Sequence, residues 1–265
     1  MPLDIIVTAK QVLDPETPAS ALRINQETHR MEAPANIPPV VNGFDENAVE
    51  AALQLREKVD GKVTVLSVGT QFAMDVIKKT LSMGADELVL VQGDGLDSLD
   101  PFATAQVLGA AIQKIGKFDL LLCGRQASDF DQAQVPLALA EVLGVPAITL
   151  AQNVDVQDNR LRVDRVMTDG YDTVESGLPA LVTVSNEIGQ ARYPTLRGIM
   201  GASRKQPTVW SIADLGIGPE SLLAKVEIRE LFVPTQESAC EFIDGATDEE
   251  KGINLALKLR EAKLI

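Results

Sequence analysis

The chain has 265 residues, 45% of them apolar, and 38 acidic side chains against 24 basic ones give a formal charge of −14. That length and apolar content suit one large α/β domain with extensions, not a disordered chain. The acidic balance excludes a protein built to grip a phosphate backbone, and no apolar run approaches a membrane span.

Met1-Pro2-Leu3-Asp4 lacks the basic-then-apolar order of a signal peptide. The two cysteines, Cys123 in a predicted buried strand and Cys240 near the C-terminus, suggest a reduced, cytoplasmic setting and no disulfide framework. His29 is the lone histidine and falls at a predicted hairpin tip, where it reads as exposed and idle. No metal-ligand spacing and no nucleophile–base pair stand out, so no catalytic residue and no metal site are assigned.

In chain order, Leu3 to Thr8 is β-rich and opens a sheet. Leu22 to Ile24 and Arg30 to Glu32 read as a small hairpin, and Pro34, Pro38 and Pro39 carry the chain back in extended form. Glu46 to Lys58 is a helix by the spacing of Ala48, Val49, Ala52, Leu53 and Leu55. Before it, Phe44 suits a core contact and Asp45 an N-cap. Val63 to Val68 is a buried strand, Gln71 to Met83 a helix stopped by Gly84, Glu87 to Val91 a strand, and Phe102 to Ile115 a helix.

Leu120 to Cys123 is a short, wholly apolar strand, and Pro136 to Leu143 a helix with Gly144 past its end. The polar loop between them lies where open α/β sheets bind ligands and where helix N-termini accept phosphate. Such loops also occur in α/β proteins without a nucleotide, so the loop alone leaves both readings open. Ala147 to Leu150 is the next strand. Strands and helices alternating in this way predict right-handed crossovers and a doubly wound, mostly parallel sheet.

The pattern then changes. Val154 to Val156, Leu161 to Met167 and Thr173 to Glu175 read as a small β extension, and Leu181 to Val184 as a further core strand. Asn186 to Arg197 is polar, and Gly198 to Ser203 suits a short helix. Lys205 to Gly245 shows no strong period, and Asp248 to Leu259 is a terminal helix. The expected organisation is therefore an α/β domain over residues 1–204 and a C-terminal arm and helix over 205–265 lying on another subunit.

Four segments carry a resemblance to the β subunits of electron transfer flavoproteins, along nearly the whole chain. They are Lys10-Gln11-Val12; Asn42-Gly43-Phe44-Asp45 with Glu50-Ala51-Ala52; Gly124-Arg125-Gln126-Ala127-x-Asp129-x-Asp131-x-x-Gln134; and Arg192-Tyr193-Pro194-Thr195-Leu196-Arg197-Gly198-Ile199-Met200. The resemblance implies an adenine-nucleotide-binding α/β fold of the α-hydrolase-like kind. It also implies a heterodimer in which an α subunit holds most of a redox-active FAD. The β chain would bury its own nucleotide, AMP in the common form or a second FAD that meets NADH in electron-bifurcating forms. Redox chemistry would belong to the flavin, with protein groups positioning and tuning it.

By the same resemblance Thr8, Asn42, Gly43, Phe44, Asp45 and Val68 surround adenine and ribose. Gly124, Arg125, Gln126, Ala127, Asp129, Asp131, Gln132, Ala133, Gln134 and Val135 surround ribose and phosphate, with the N–H groups of Ala133, Gln134 and Val135 on the phosphate. Phe44 reaches the flavin ring. The segment Ser185 to Met200, with Asn186, Glu187, Ile188, Gly189, Arg192 and Tyr193, docks an acyl-CoA-type dehydrogenase, Ile188 serving as the apolar anchor; the residues alone equally suit a surface turn in which Ile188 folds back into the core.

Three departures bear on the nucleotide. Gly43 stands where Pro is usual. Val135 stands where AMP-binding members often carry Thr, and bifurcating members also show Val after Ala-Gln. Pro136 stands where Gly is usual, and its ring could crowd a pyrophosphate.

Overall fold

The computed structural model describes residues 2–233 and 240–265. Contacts divide the chain into two compact units, one ending at Arg229 and one running from Glu230 to Ile265. In chain order the first unit comprises β1 (Leu3–Thr8), β2 (Gln11–Val12), β3 (Arg23–Asn25), β4 (Arg30–Glu32), β5 (Val40–Val41), α1 (Gly43–Val59) and β6 (Gly61–Gly69). Next come α2 (Met74–Ile77), α3 (Lys79–Met83), β7 (Glu87–Gln92), α4 (Pro101–Ile115), β8 (Leu120–Gly124) and α5 (Val135–Leu143). The remaining elements are β9 (Ala147–Gln157), β10 (Arg160–Met167), β11 (Gly170–Gly177), β12 (Ala180–Val184), α6 (Leu196–Arg204) and β13 (Thr208–Trp210).

Among the described residues one sheet holds nine strands in the order β11-β10-β9-β12-β8-β1-β6-β7-β13. Every pair from β9 to β13 along this order is parallel, and β9, β10 and β11 add an antiparallel extension at one edge. After β1 the chain passes through α1 to β6 and β7 on one side, then returns to β8 on the other. The strand order therefore switches direction between β1 and β8, and the crevice at their carboxyl ends is where such sheets bind ligands.

Alternation along the strands explains why both faces are covered. Ile5, Val7, Leu120, Leu122 and Val182 point into a core shared with Leu53 and Leu55 of α1. Ile6, Leu121, Cys123 and Leu181 point the other way, against Ile112 of α4 and Leu139 of α5. All five residues of β8 are buried, which is why its sequence has no polar alternate. Helix ends follow local chemistry. Asp100 Oδ1 accepts from Ala103 N at 2.7 Å to start α4, with Pro101 in its first turn, and Gly144 at φ 65° ends α5.

Four expectations change in detail. The helix expected over Gln71–Met83 begins at Met74 and is broken at Lys78, whose ψ of −7° tightens the turn between α2 and α3. The two strands expected at Ala147–Leu150 and Val154–Val156 are one strand, β9, irregular at Leu150 with φ 61°. Thr183 Oγ1 accepts the Leu150 N–H at 2.9 Å, so the irregularity leaves no orphan donor there. His29, at φ 50° in the β3–β4 turn, is half-buried, not exposed.

The fourth change concerns residues 205–229. They read as aperiodic, yet Thr208–Trp210 adds a ninth parallel strand against β7. Trp210, Ile212, Leu215, Ile217 and Leu222 then pack beside the α4 core, and the Asp100 carboxylate accepts from the N–H groups of Lys225 and Val226. The compact unit thus runs past the expected division at 204/205. Part of the expected arm, residues 234–239, lies outside the described residues.

The second unit contains α7 (Asp248–Glu261). Thr247 Oγ1 caps it by accepting from Glu250 N at 3.2 Å, and Glu250 Oε2 accepts from Ala246 N at 2.7 Å. None of its residues is buried, and Ile253, Leu255 and Leu257 are exposed.

Candidate nucleotide site

The crevice is built by three side chains that tie β1, α1 and β8 together. The Asp45 carboxylate, in the first turn of α1, is buried and accepts from Lys10 N at 2.7 Å and Gly124 N at 3.1 Å. Burial pushes this carboxyl up, to about 7, despite those two hydrogen bonds. Asn42, just before α1, donates from Nδ2 to the Gln126 carbonyl at 2.8 Å and accepts from Ser128 N at 3.3 Å. Lys10 pairs with Asp129 at 2.6 Å. Asn42 and Asp45 thus spend their polar atoms on shaping the loop that follows β8.

Gly124 is dictated by this closeness. A Cβ there would stand 2.3 Å from Asp45 Oδ1 and 2.8 Å from the Phe44 carbonyl carbon. Gly43 is the opposite case, since nothing lies within 4 Å of a Cβ added to it.

The loop ends in unusual backbone. Asp131 and Ala133 have φ of 50° and 54°, and Gln134 returns to φ −95°, ψ −37° at the start of α5. Alternating handedness of this kind turns successive N–H groups to one side as an anion-binding concavity, here at a helix N-terminus. Gln134 is exposed and caps α5 without a side-chain hydrogen bond. Ser128 Oγ and Asp129 Oδ1 are buried in the loop without a hydrogen-bond partner. A donor cluster at a helix start beside unsatisfied buried oxygens suits a phosphate-bearing ligand with hydroxyls to share. Pro136 is buried in the first turn of α5, where its missing N–H is among those with no intrahelical partner.

Thr8 and Val68 lie half-buried at the carboxyl ends of the adjacent strands β1 and β6, with Cys123 across the same sheet face from them. Burial pushes the Cys123 thiol up to about 12, so it is an inert packing group. Gln126 Nε2 holds Asp131 at 2.7 Å, and Gln132 is exposed. Lys10 and Ser128 were not singled out from sequence. In the sequence Lys10 is only the opening residue of the Lys10-Gln11-Val12 segment that carries the resemblance, with no role at the site.

Arg125 reaches Phe44 of α1 and Ser185 after β12. Its guanidinium lies 5.2 Å from the Phe44 ring centre, and Nη1 donates to Ser185 Oγ at 3.1 Å. Beyond Ser185, the expected docking residues separate into two groups. Asn186–Ile188 form a short 3-10 turn, with Glu187 bonded to Ser185 Oγ and Asn47 Nδ2 holding the Gly189 carbonyl at 2.7 Å. Ile188 is half-buried and packs against the core. Arg192 folds back onto α1, bonding Glu50 through Nε at 2.7 Å and Nη2 at 3.0 Å, and Glu57 at 2.5 Å. The apolar groups that this segment leaves to solvent are Tyr193 and Leu196, 80% and 76% exposed, with Ile199 and Met200 beside them.

A switch-point crevice with a phosphate-type loop is the layout of nucleotide-binding, doubly wound α/β folds. Residues 35–215 match the family model described as electron transfer flavoprotein domain. The chain is 35% identical to the caffeyl-CoA reductase-Etf complex subunit CarD of Acetobacterium woodii, covering 98% of this chain and 99% of that one. It is 36% identical to the electron transfer flavoprotein subunit beta of Thermoanaerobacterium thermosaccharolyticum, over 93% of this chain and 94% of that one. The subunit beta of Megasphaera elsdenii is also 36% identical, over 95% of each chain. The chain belongs to the electron transfer flavoprotein family, as a β subunit.

Proposed function

We propose that this chain pairs with an electron transfer flavoprotein α subunit and carries electrons from an acyl-CoA-type dehydrogenase to a downstream acceptor. The redox flavin is an FAD held mainly by the α subunit, and it supplies the electron chemistry. This chain contributes Phe44 toward that flavin and buries AMP in its own crevice. Thr8 and Val68 line the adenine end, and the N–H groups of Ala133, Gln134 and Val135 meet the phosphate. The observation that carries the reading is the donor concavity at the start of α5, set at the β1–β8 switch point beside buried oxygens with no partner. The name of the Acetobacterium woodii relative, a subunit of a caffeyl-CoA reductase complex, supports an acyl-CoA-type oxidoreductase as a redox partner, but a reductase consumes electrons, so that name favours the second reading below over an acyl-CoA electron source.

A second reading is electron bifurcation, with a second FAD in the crevice and NADH as donor. Val135 favours it, because the α5 start then lacks the hydroxyl donor that AMP-binding members often supply. Counting the cofactors released from the purified αβ complex separates the two. One FAD and one AMP per complex supports the carrier; two FAD and rapid flavin reduction by NADH supports bifurcation.

Docking is assigned to the same segment, Ser185 to Met200, but its anchor moves. Leu196 and Tyr193 offer exposed apolar surface that half-buried Ile188 does not. A small exposed apolar anchor with a polar rim is how a transient interface gains specificity without large area. Glu187 and Arg197 are the rim charges.

A further inference from the structure

We propose that Arg125 is a positioning residue, not a phosphate ligand: it locks the Phe44 ring and the Ser185–Gly189 turn in register with the nucleotide loop. The proposal rests on the reading of the crevice as a nucleotide site.

Arg125 follows Gly124 directly, so its backbone belongs to the loop, and its N–H donates to the Val184 carbonyl at 2.9 Å. Its side chain then spans the gap between two other elements. The planar guanidinium covers the Phe44 ring at 5.2 Å, a separation at which a cation is drawn to the ring face. One nitrogen bonds Ser185 Oγ at 3.1 Å, and the same hydroxyl contacts Glu187. Ser185 is fully buried, so this hydroxyl cannot exchange its partners for water. On the loop side, Arg125 Nε lies 3.4 Å from Gln126 Oε1, and Gln126 holds Asp131 at 2.7 Å, two residues before Ala133.

A continuous polar chain therefore runs from the start of the phosphate loop's left-handed backbone, through Gln126 and Arg125, to the 3-10 turn at Asn186–Ile188. Phe44 is clamped as a side branch of it. Lysine could keep the bond to Ser185 but has no plane to lay on Phe44. The two contacts can therefore be separated by one conservative change.

The test uses the αβ complex with Arg125→Gln and Arg125→Lys. The Ile188 and Gly189 amides bond the Ser185 and Asn186 carbonyls at 3.3 and 3.2 Å, so their hydrogen exchange reports on the turn. In Arg125→Gln their exchange should accelerate at least tenfold and the visible flavin band should shift. Nucleotide content should match wild type, and Tm should fall only slightly, because the buried Ser185 hydroxyl loses one partner. Arg125→Lys should restore slow exchange but not the flavin band.

Loss of nucleotide with unchanged exchange would make Arg125 a phosphate ligand and overturn the proposal. So would unchanged exchange together with an unchanged band, or faster exchange spread over the whole chain. A wild-type complex without nucleotide would defeat the crevice reading instead, while the exchange arm still judges Arg125.

Discussion

Two glycines with the same composition value have opposite structural meaning. Gly124 is required because the α1 N-terminus closes on it; a methyl group would overlap Asp45 Oδ1 at 2.3 Å. Gly43 opens α1 in open space, after Asn42 at φ −53° and ψ 129°, a conformation that tolerates a following proline. Gly43→Pro should therefore stabilise the chain by about 0.4–1 kcal/mol, through the unfolded state. Gly124→Ala should cost several times that or prevent folding, because backbone must move. Chemical denaturation of the two variants checks both signs. Side-chain placement also redirects the docking experiment. Leu196→Ala should slow electron transfer from the dehydrogenase roughly tenfold, a loss of about 1.4 kcal/mol, with Tm unchanged. Ile188→Ala should lower Tm instead, because its side chain packs on the core. Stopped-flow transfer rates and melting curves distinguish them.

At the scale of elements, Arg192 holds the segment after the Asn186–Ile188 turn onto α1. Burial raises the cost of charge on Glu50, but hydrogen bonds from Arg192 outweigh it and hold the carboxyl below the usual 4.5. The bond from Arg192 does the same for the more exposed Glu57. Carboxyls held low contribute stability that is present above pH 4.5 and is lost as pH falls through their folded values. Arg192→Met should leave Glu50 buried without its partner and cost about 2–3 kcal/mol at pH 7. The difference from wild type should shrink as pH falls below 4.5. Asp45 has the opposite sign. Its carboxyl is raised from 3.8 to about 7, so the folded chain keeps a proton there and loses stability as pH rises through that window. Both proteins carry Asp45, so its slope cancels from the comparison. Urea titrations of the two proteins across pH 3–8 measure the difference.

At the scale of the whole molecule, the second unit bears on the heterodimer. The α7 helix is well capped yet buries none of its residues, and Ile253, Leu255 and Leu257 stay exposed. Ile253 and Leu257 stand one turn apart on one side of it, and a capped helix with such an uncovered apolar stripe gains its stability from a partner. The αβ reading assigns that face to the α subunit. Replacing Ile253 and Leu257 with Ser should weaken αβ association at least tenfold in sedimentation velocity. The thermal unfolding of residues 2–229 should remain that of wild type.

The sequence by itself determined the alternation of strands and helices, the buried strand Leu120 to Cys123, and the polar loop after it. These depend on local periodicity and on Gly and Pro, which act within a few residues. The motif around Gly124 was legible too, because it is contiguous. Only the tertiary structure decided what those residues hold. Asp45 and Gly124 are 79 positions apart, and nothing local shows that one needs the other's missing Cβ. The ion pairs of Arg192 with Glu50 and Glu57 span 142 and 135 positions, and nothing local announces them. For Ile188 the residues alone leave core and docking anchor open, and the turn at Asn186–Ile188 rolls it toward the core. Thr208–Trp210 is too short for a periodic signal, and pairing with β7 alone makes it a strand. In each case the deciding energy is a contact between distant segments, which a linear pattern does not contain.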